Sequence, residues 1–556
     1  MSSSSFDPTI AAETPYDYIL YMSPASIFLY NGTVVTMDPK NPRADALLVK
    51  GNTVEWVGNI GEEFPIPPEI PDDAVRIDLA GKTVVPGFND NHLHALILGD
   101  HRLMPDLGGL DSTEIIELIT REYDDADPGE LILAYGWDYP SCPDPRRDII
   151  DRAFPDNPVI LVQFSGHSMW VNTRTLEVMG ISETDREIDG SGAVARDSEG
   201  RATGIIRETK NNPLMINHFK KISRKPSLAR ERLEKALHEF REYGITSVQD
   251  NTWFFPVLLG YRRLRHKRRL TARASCWYYG NDPKRSRFMG LPLYDEKWIS
   301  RGLWKYILDG SFSSHTAWLN KPYANDPGNY GKGTPAGDID SYLDFVVKKN
   351  VQGGFHAIGD RQVAEFLDAV ERTVKEAPRT DSIRNLRLRI EHAQLIRDED
   401  IPRIRDLGIL IAAQPSALIS PEKDRLLLGE KRALKAYPYR SLLDAGVRLS
   451  FGSDIPGERA LRPLHLIHMA VNREGDEAIT AEEALRCYTA ESAYAQFEEH
   501  RKGMLRPGML ADLAVLSDNP LEVPKENIEN IRVETTIVGG RTVYTRDGDG
   551  NLPESL

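Results

Sequence analysis

Thr83-Val84-Val85-Pro86-Gly87-Phe88-Asn89-Asp90-Asn91-His92-Leu93-His94 carries the reading of the whole chain. A short apolar β-type run passes through Gly87 and ends on two histidines separated by one residue. In extended backbone, residues i and i+2 project to the same side. Both imidazoles can therefore reach one metal ion, with Leu93 turned away. Alone such a pair is a weak signal, because two histidines in a loop are more often surface or core groups. Its weight comes from recurrence along the chain. His356 closes Gly353-Gly354-Phe355, His392 follows Arg389-Ile390-Glu391, and Asp454 ends Leu449-Ser450-Phe451-Gly452-Ser453.

Eight strand candidates can be counted between residues 83 and 451. They are Thr83 to Val85, Ile245 to Val248, Ala272 to Tyr278, Trp304 to Leu308, Gly353 to Phe355, Leu386 to Ile390, Ile409 to Ala412 and Val447 to Phe451. Helical stretches separate them, the pattern of parallel βαβ units closing into a (β/α)₈ barrel of the TIM type. The metal-type residues then close the first, fifth, sixth and eighth candidates, and in a barrel such strand ends converge at the C-terminal mouth. The gap between the first two candidates is far longer than one crossover needs. It predicts an inserted α/β subdomain over residues 105–240, with strands at Leu131 to Tyr135 and Val159 to Val162.

Both ends of the chain read differently. Asn31-Gly32 and Gly51-Asn52 separate alternating apolar runs near the start, and Gly539-Gly540 does so near the end, each a hairpin signal. These runs predict one composite β-sandwich from residues 21–83 and 505–556, leaving 84–504 for the barrel. Residues 1–20, rich in Ser, Pro and Asp, read as a loosely held arm.

A formal net charge of −14, with one short basic run over Arg262 to Arg269, argues against a nucleic-acid partner. The basic run reads as a solvated helix face. No stretch is apolar enough for a membrane helix. Three widely spaced cysteines without CxxC and a start without signal-peptide character point to a cytoplasmic protein. A homodimer is an open expectation. Imidazole ligands with one carboxylate suit Zn²⁺ first, as one ion or two, with Mn²⁺, Fe²⁺, Co²⁺ or Ni²⁺ as alternatives.

The sequence resembles the amidohydrolase superfamily over nearly its whole length, and within it the YtcJ-like branch that includes N-substituted formamide deformylase. The residues carrying this are Val85-Pro86-Gly87-Phe88-Asn89-Asp90-Asn91-His92-Leu93-His94, Gly136-Trp137-Asp138, Gly166-His167-Ser168-Met169-Trp170-Val171-Asn172, Asp309-Gly310-Ser311, His356-Ala357-Ile358-Gly359-Asp360, Glu391-His392-Ala393-Gln394, Gln414-Pro415, Gly452-Ser453-Asp454 and Leu505 to Leu516.

The resemblance implies hydrolysis of a C–N bond in a small amide, N-formyl or cyclic amide substrate by a metal-activated water. It implies that His92 and His94 hold the more buried ion, His356 and His392 a second, and that Asp454 is both ligand and general acid/base. Lys305 would be carbamylated and bridge the ions; an ordinary charged residue at a strand start is the equal alternative. His167 is either an oxyanion donor or an anchor for the loop bearing Trp170. Trp137, Asp138, Trp170, Glu208, Asp309 and His315 are tentative substrate contacts, although buried aromatics and acids at such positions are more often structural. His315 lies in the stretch where many branch members carry Arg and is either a substrate contact or a satisfied loop histidine; in place of a substrate-binding arginine it would disfavour anionic substrates. A mononuclear deaminase of the same superfamily is the rival reading, weakened because Gly359 occupies the place of its proton-donating glutamate. A non-catalytic scaffold is a further alternative.

Overall fold

A computed structural model of the protein describes residues 26–60, 69–164, 166, 168–182, 187–188, 192–207, 212–252, 255–280, 294–295, 297–376, 381–458 and 460–546. The expected N-terminal arm, His167 and Glu208 lie outside the described residues.

An eight-stranded parallel sheet forms the centre. Its strands are Phe88–Leu93, Ile245–Asp250, Arg273–Tyr279, Ile299–Ile307, Gly353–Ala357, Arg389–His392, Leu410–Ala413 and Leu449–Phe451, each pairing with the next in chain order. The first and last strands meet through hydrogen bonds that close the ring. Asn91 Nδ2 donates to Ser450 Oγ at 2.7 Å, Ser453 N to Asp90 Oδ1 at 3.0 Å, and Asp454 N to the His92 carbonyl at 2.7 Å. The strands are buried on both faces, and several of them, such as Phe88–Leu93 and Arg389–His392, carry polar and charged side chains into the interior.

One strand expectation is corrected. Thr83–Pro86 is not the first barrel strand. It pairs in parallel with Thr33–Val35 and antiparallel with Leu513–Leu516, inside a six-stranded sheet of the terminal β unit. The physical reason lies in its two faces: Val84 packs into the sandwich core and Val85 into the barrel core, so the run is apolar throughout. Gly87 marks the crossing. A Cβ there would lie 2.2 Å from the Thr246 side chain, and the barrel begins one residue later.

The second sheet of the terminal unit has four strands, Ser26–Tyr30, Ala46–Lys50, Thr53–Gly58 and Val75–Asp78. Leu29, Val34 and Leu47 share one core with Leu513 and Ile537 from the other end of the chain.

After the first barrel strand and the helix Ala95–His101, the chain enters a six-stranded mixed sheet. Ile132–Trp137 and Val159–Gln163 are its parallel pair, close to the expected strands. Ser168–Val171, Ala202–Arg207, Gly192–Arg196 and Glu187–Ile188 extend it antiparallel. These carry too few apolar residues to stand out by pattern. The chain returns through Pro226–Glu242, whose contact with Ala95–His101 is backbone-close: a Cβ on Gly99 would sit 1.8 Å from the Arg232 carbonyl oxygen. Asp100 cements the contact, accepting from Arg232 Nε at 2.5 Å and bonding His218 Nε2 at 2.8 Å. Gly99→Ala should therefore cost about 1–3 kcal/mol through forced overpacking, read as a lower midpoint in urea. An unchanged midpoint would show that these helices have slack. Among the described residues no helix is long and apolar enough to cross a membrane.

Candidate metal centre

His92 and His94 project from the end of the first barrel strand, with ring centroids 5.8 Å apart. Lys305 lies on the fourth strand, His356 on the fifth, His392 ends the sixth, and Asp454 follows the eighth. The structure gathers all six at the C-terminal mouth. Asp454 Oδ1 is 3.3 Å from His94 Nε2 and 3.5 Å from His92 Nε2, and Oδ2 is 3.8 Å from His392 Nδ1. Lys305 Nζ lies 3.3 Å from His92 Nε2, and the His356 and His392 rings are 4.4 Å apart.

Backbone geometry makes this convergence possible. His392 has φ of 75° and Asp454 of 55°, a left-handed conformation that costs a non-glycine residue roughly 1–2 kcal/mol. Adjacent residues of a strand normally face opposite ways. The left-handed turn lets His392 reach the centre although Glu391 beside it also points inward. Such strain at the end of a strand is a mark of a functional site.

The electrostatics suit a cation. Burial pushes His92 down to about 4 and His356 to about 3, and holds His392 well below the ordinary imidazole range, so all three rings are neutral at pH 7. Burial would raise the Asp454 carboxyl, but His92, a hydrogen bond from His94, and His392 outweigh it and keep it ionised. Burial also lowers Lys305 to about 8, leaving part of it as free amine near neutrality. One donor atom each from His92, His392 and Asp454 fall within 4.8 Å of one another. Two neutral nitrogens and a carboxylate at that spacing fit a divalent transition metal.

Three carboxylates stood near the ligand histidines in sequence, and the structure separates their roles. Glu391 Oε2 meets His92 Nδ1 at 2.8 Å. Asp90 instead accepts the backbone N–H groups of His92 and Ser453, pinning the seam between first and last strands. Asp360 accepts from Asn320 N and Arg361 N, away from the imidazoles.

Residues 76–544, most of the chain, match the family described as "Amidohydrolase family". The chain belongs to the amidohydrolase family. Two relatives are each 29% identical to it. They are Protein LONG AFTER FAR-RED 3 of Arabidopsis thaliana, aligned over 94% of this chain and 92% of that protein, and the N-substituted formamide deformylase of Arthrobacter pascens, over 94% and 99%. Among solved structures, an uncharacterized metal-dependent hydrolase from Pyrococcus furiosus superposes with a TM-score of 0.70 at 26% identity, covering 89% of this chain and all of that one.

Within this amidohydrolase the tentative substrate contacts divide. Trp137 and Trp170 are not at the mouth: both are fully buried in the core of the inserted sheet, 6.1 Å apart, and Trp137 Nε1 donates to the Leu161 carbonyl. Their large apolar faces are what that small subdomain packs around. Trp277 likewise lies inside the barrel, edge-on to His92 at 4.9 Å. Asp309 is occupied by backbone, accepting from Trp318, Ile358 and Gly359 N–H groups within 3.0 Å, so it fastens two loops of the mouth. Burial lifts its carboxyl to about 7. Asp138 is buried and caps a turn by accepting from Ser141 N. His315, at φ of 59°, bonds Asn325 and packs 4.7 Å from Tyr323 within its own loop. Arg389 was missed; the signal was there, an Arg-x-Glu run placing two charges on one interior face directly before a ligand-type histidine.

Proposed function

We propose that this amidohydrolase cleaves a C–N bond of a small N-formyl, N-acyl or cyclic amide, using one or two divalent ions of the zinc type. The observation that carries the reading is the convergence of His92, His94 and His392 on one ionised carboxylate, held in left-handed backbone at the barrel mouth. His92, His94 and Asp454 would hold one ion and His356 and His392 a second, with Lys305, as its carbamate, between them. When bound, the metal supplies Lewis acidity toward the substrate carbonyl and a water acidic enough to ionise near pH 7.

The protein's own residues do the rest. Asp454 takes the proton of the attacking water on a carboxylate oxygen and returns it to the leaving nitrogen. Its left-handed backbone and the Asp454 N–H bond to the His92 carbonyl fix where that oxygen sits. The Lys305 amine, largely desolvated, is able to add to carbon dioxide with loss of one proton. Asp309 and the loops it fastens shape the wall above His356, whose Nε2 donates to the Gly310 carbonyl and leaves Nδ1 for the centre.

A deaminase would need an acid at position 359. A Cβ on Gly359 would lie 2.1 Å from the Trp318 carbonyl oxygen, so no longer side chain fits there without moving the loop. The test is an assay of purified protein against N-formyl amines, N-acyl amines, cyclic amides and aminopyrimidines, reading carboxylate and ammonia release separately. The expected result is formate or another carboxylate from an amide, abolished by a strong chelator and restored by Zn²⁺. Ammonia from the aminopyrimidines alone would replace this reading with deamination.

A further inference from the structure

We infer that the buried pair Arg389–Glu391 is a positioning couple that sets the tautomer of His92 and thereby the strength of the more buried metal position. The inference rests on the metal-dependent reading of the site given above.

Arg389 and Glu391 are two residues apart on one strand and share its interior face, both fully buried. A buried ion pair is a poor source of stability, since an apolar pair of similar volume usually serves a core as well or better. Its presence on the interior face of a barrel strand therefore asks for another purpose. The surroundings supply one. Arg389 spends its guanidinium on fixing Glu391, with Nε at 2.8 Å from Oε1 and a second nitrogen at 3.0 Å from Oε2. Its other donors reach Gln249 Oε1 at 2.5 Å and the Asn91 carbonyl at 3.0 Å, and its plane lies 5.0 Å from the Trp277 ring. Residues of the second, first and third barrel strands thus hold the guanidinium that faces this carboxylate.

What that carboxylate touches is His92 Nδ1, at 2.8 Å. An ionised carboxylate only accepts, so Nδ1 carries the hydrogen and Nε2 presents its lone pair to the centre. The opposite side of the ring agrees: Lys305 Nζ lies 3.3 Å from Nε2, the contact of a donor with an acceptor nitrogen. Trp277, edge-on to the ring at 4.9 Å, fixes its plane. A histidine held in one tautomer and one orientation, with a carboxylate behind it, is a stronger ligand than a free one. Gln249 and Asn91 belong to the second and first strands, so the couple ties the ligand's orientation to the register of the barrel itself.

The experiment uses the full chain, stripped of metal and titrated with Zn²⁺ against a chromophoric chelator, with the melting of each metal-free variant measured alongside. Glu391→Gln keeps the shape but can donate as well as accept, and Arg389→Lys keeps the charge but loses the fork. The double variant Arg389→Met/Glu391→Gln removes both charges, so that neither is left buried alone. The expected result is a loss of Zn²⁺ affinity of about 10–100-fold in Glu391→Gln and in the double variant, with a smaller loss in Arg389→Lys. The visible absorption of the Co²⁺-loaded variants should also differ from wild type. Variants that melt lower yet bind Zn²⁺ with wild-type affinity per folded chain would make the pair structural and overturn the inference alone. A wild-type chain that takes up no ion would overturn the metal reading, and this inference with it.

Discussion

Replacing Asp454 by Asn should lower turnover by about two to four orders of magnitude, the usual contribution of a positioned acid–base group, while the chain keeps its fold. The carboxylate contacts His92, His94 and His392 but makes no part of the barrel core. Its backbone N–H bond to the His92 carbonyl survives the change. Asn preserves volume and tolerates the left-handed backbone better than most residues, so the strain at φ of 55° is not aggravated. What disappears is the proton acceptor and the negative charge in contact with His92, His94 and His392. The loss should fall on kcat more than on KM, because the proton moves only in the chemical step. A melting curve within a few degrees of wild type beside a near-dead enzyme is the expected pair of readings. Wild-type kcat in Asp454→Asn would remove this residue from the mechanism.

The largest stability effect should come from the far end of the barrel. Arg273, on the third barrel strand, grips Asp512 with two bonds of 2.6 and 2.9 Å, and both side chains are nearly fully buried. Asp512 also accepts from Gly539 N at 2.8 Å, and Arg273 lies over Trp298 at 4.6 Å. The pair therefore joins the barrel to the strand that returns the chain to the β unit. Breaking a buried pair from one side leaves a charge without its partner, at a cost of roughly 3–5 kcal/mol. Arg273→Met should show that loss in denaturant, and Arg273→Met/Asp512→Leu should recover much of it. Burial would raise the Asp512 carboxyl, but Arg273 outweighs it and holds it below its ordinary range. Its contribution is thus present above about pH 4, the unfolded carboxylate value, and is lost as acid protonates it. A single variant within about 1 kcal/mol of wild type would mean that water replaces the lost partner, contrary to the burial seen.

Seven of the barrel strands were legible because each is a short apolar run followed by punctuation, and four of the seven end on or beside chemistry-bearing residues. The first was misplaced for a physical reason. Val84 and Val85 are buried on opposite sides by two different cores, and period-based reading cannot divide such a run. The gathering of His92, His94, His356, His392 and Asp454 followed from strand order, since parallel strands bring their ends to one face, whereas Lys305 was named only through the family resemblance. The aromatic residues misled because a small inserted sheet needs large apolar groups at its centre as much as a substrate pocket would, and Trp137 and Trp170 fill the former. Choosing Glu391 over Asp90 as the partner of His92 required the left-handed turn at His392, which no residue type in the sequence announces.

The account turns on metal held at the barrel mouth, and elemental analysis tests it most directly. The protein is purified without chelator, reconstituted with Zn²⁺ in the presence of bicarbonate, and compared with His92→Ala and Lys305→Ala. The account predicts at least one bound ion per wild-type chain, two where the Lys305 carbamate bridges a pair, and a fall in His92→Ala, with Lys305→Ala losing the second ion. Fewer than one ion bound by a well-folded wild-type chain, unchanged in His92→Ala, would contradict it.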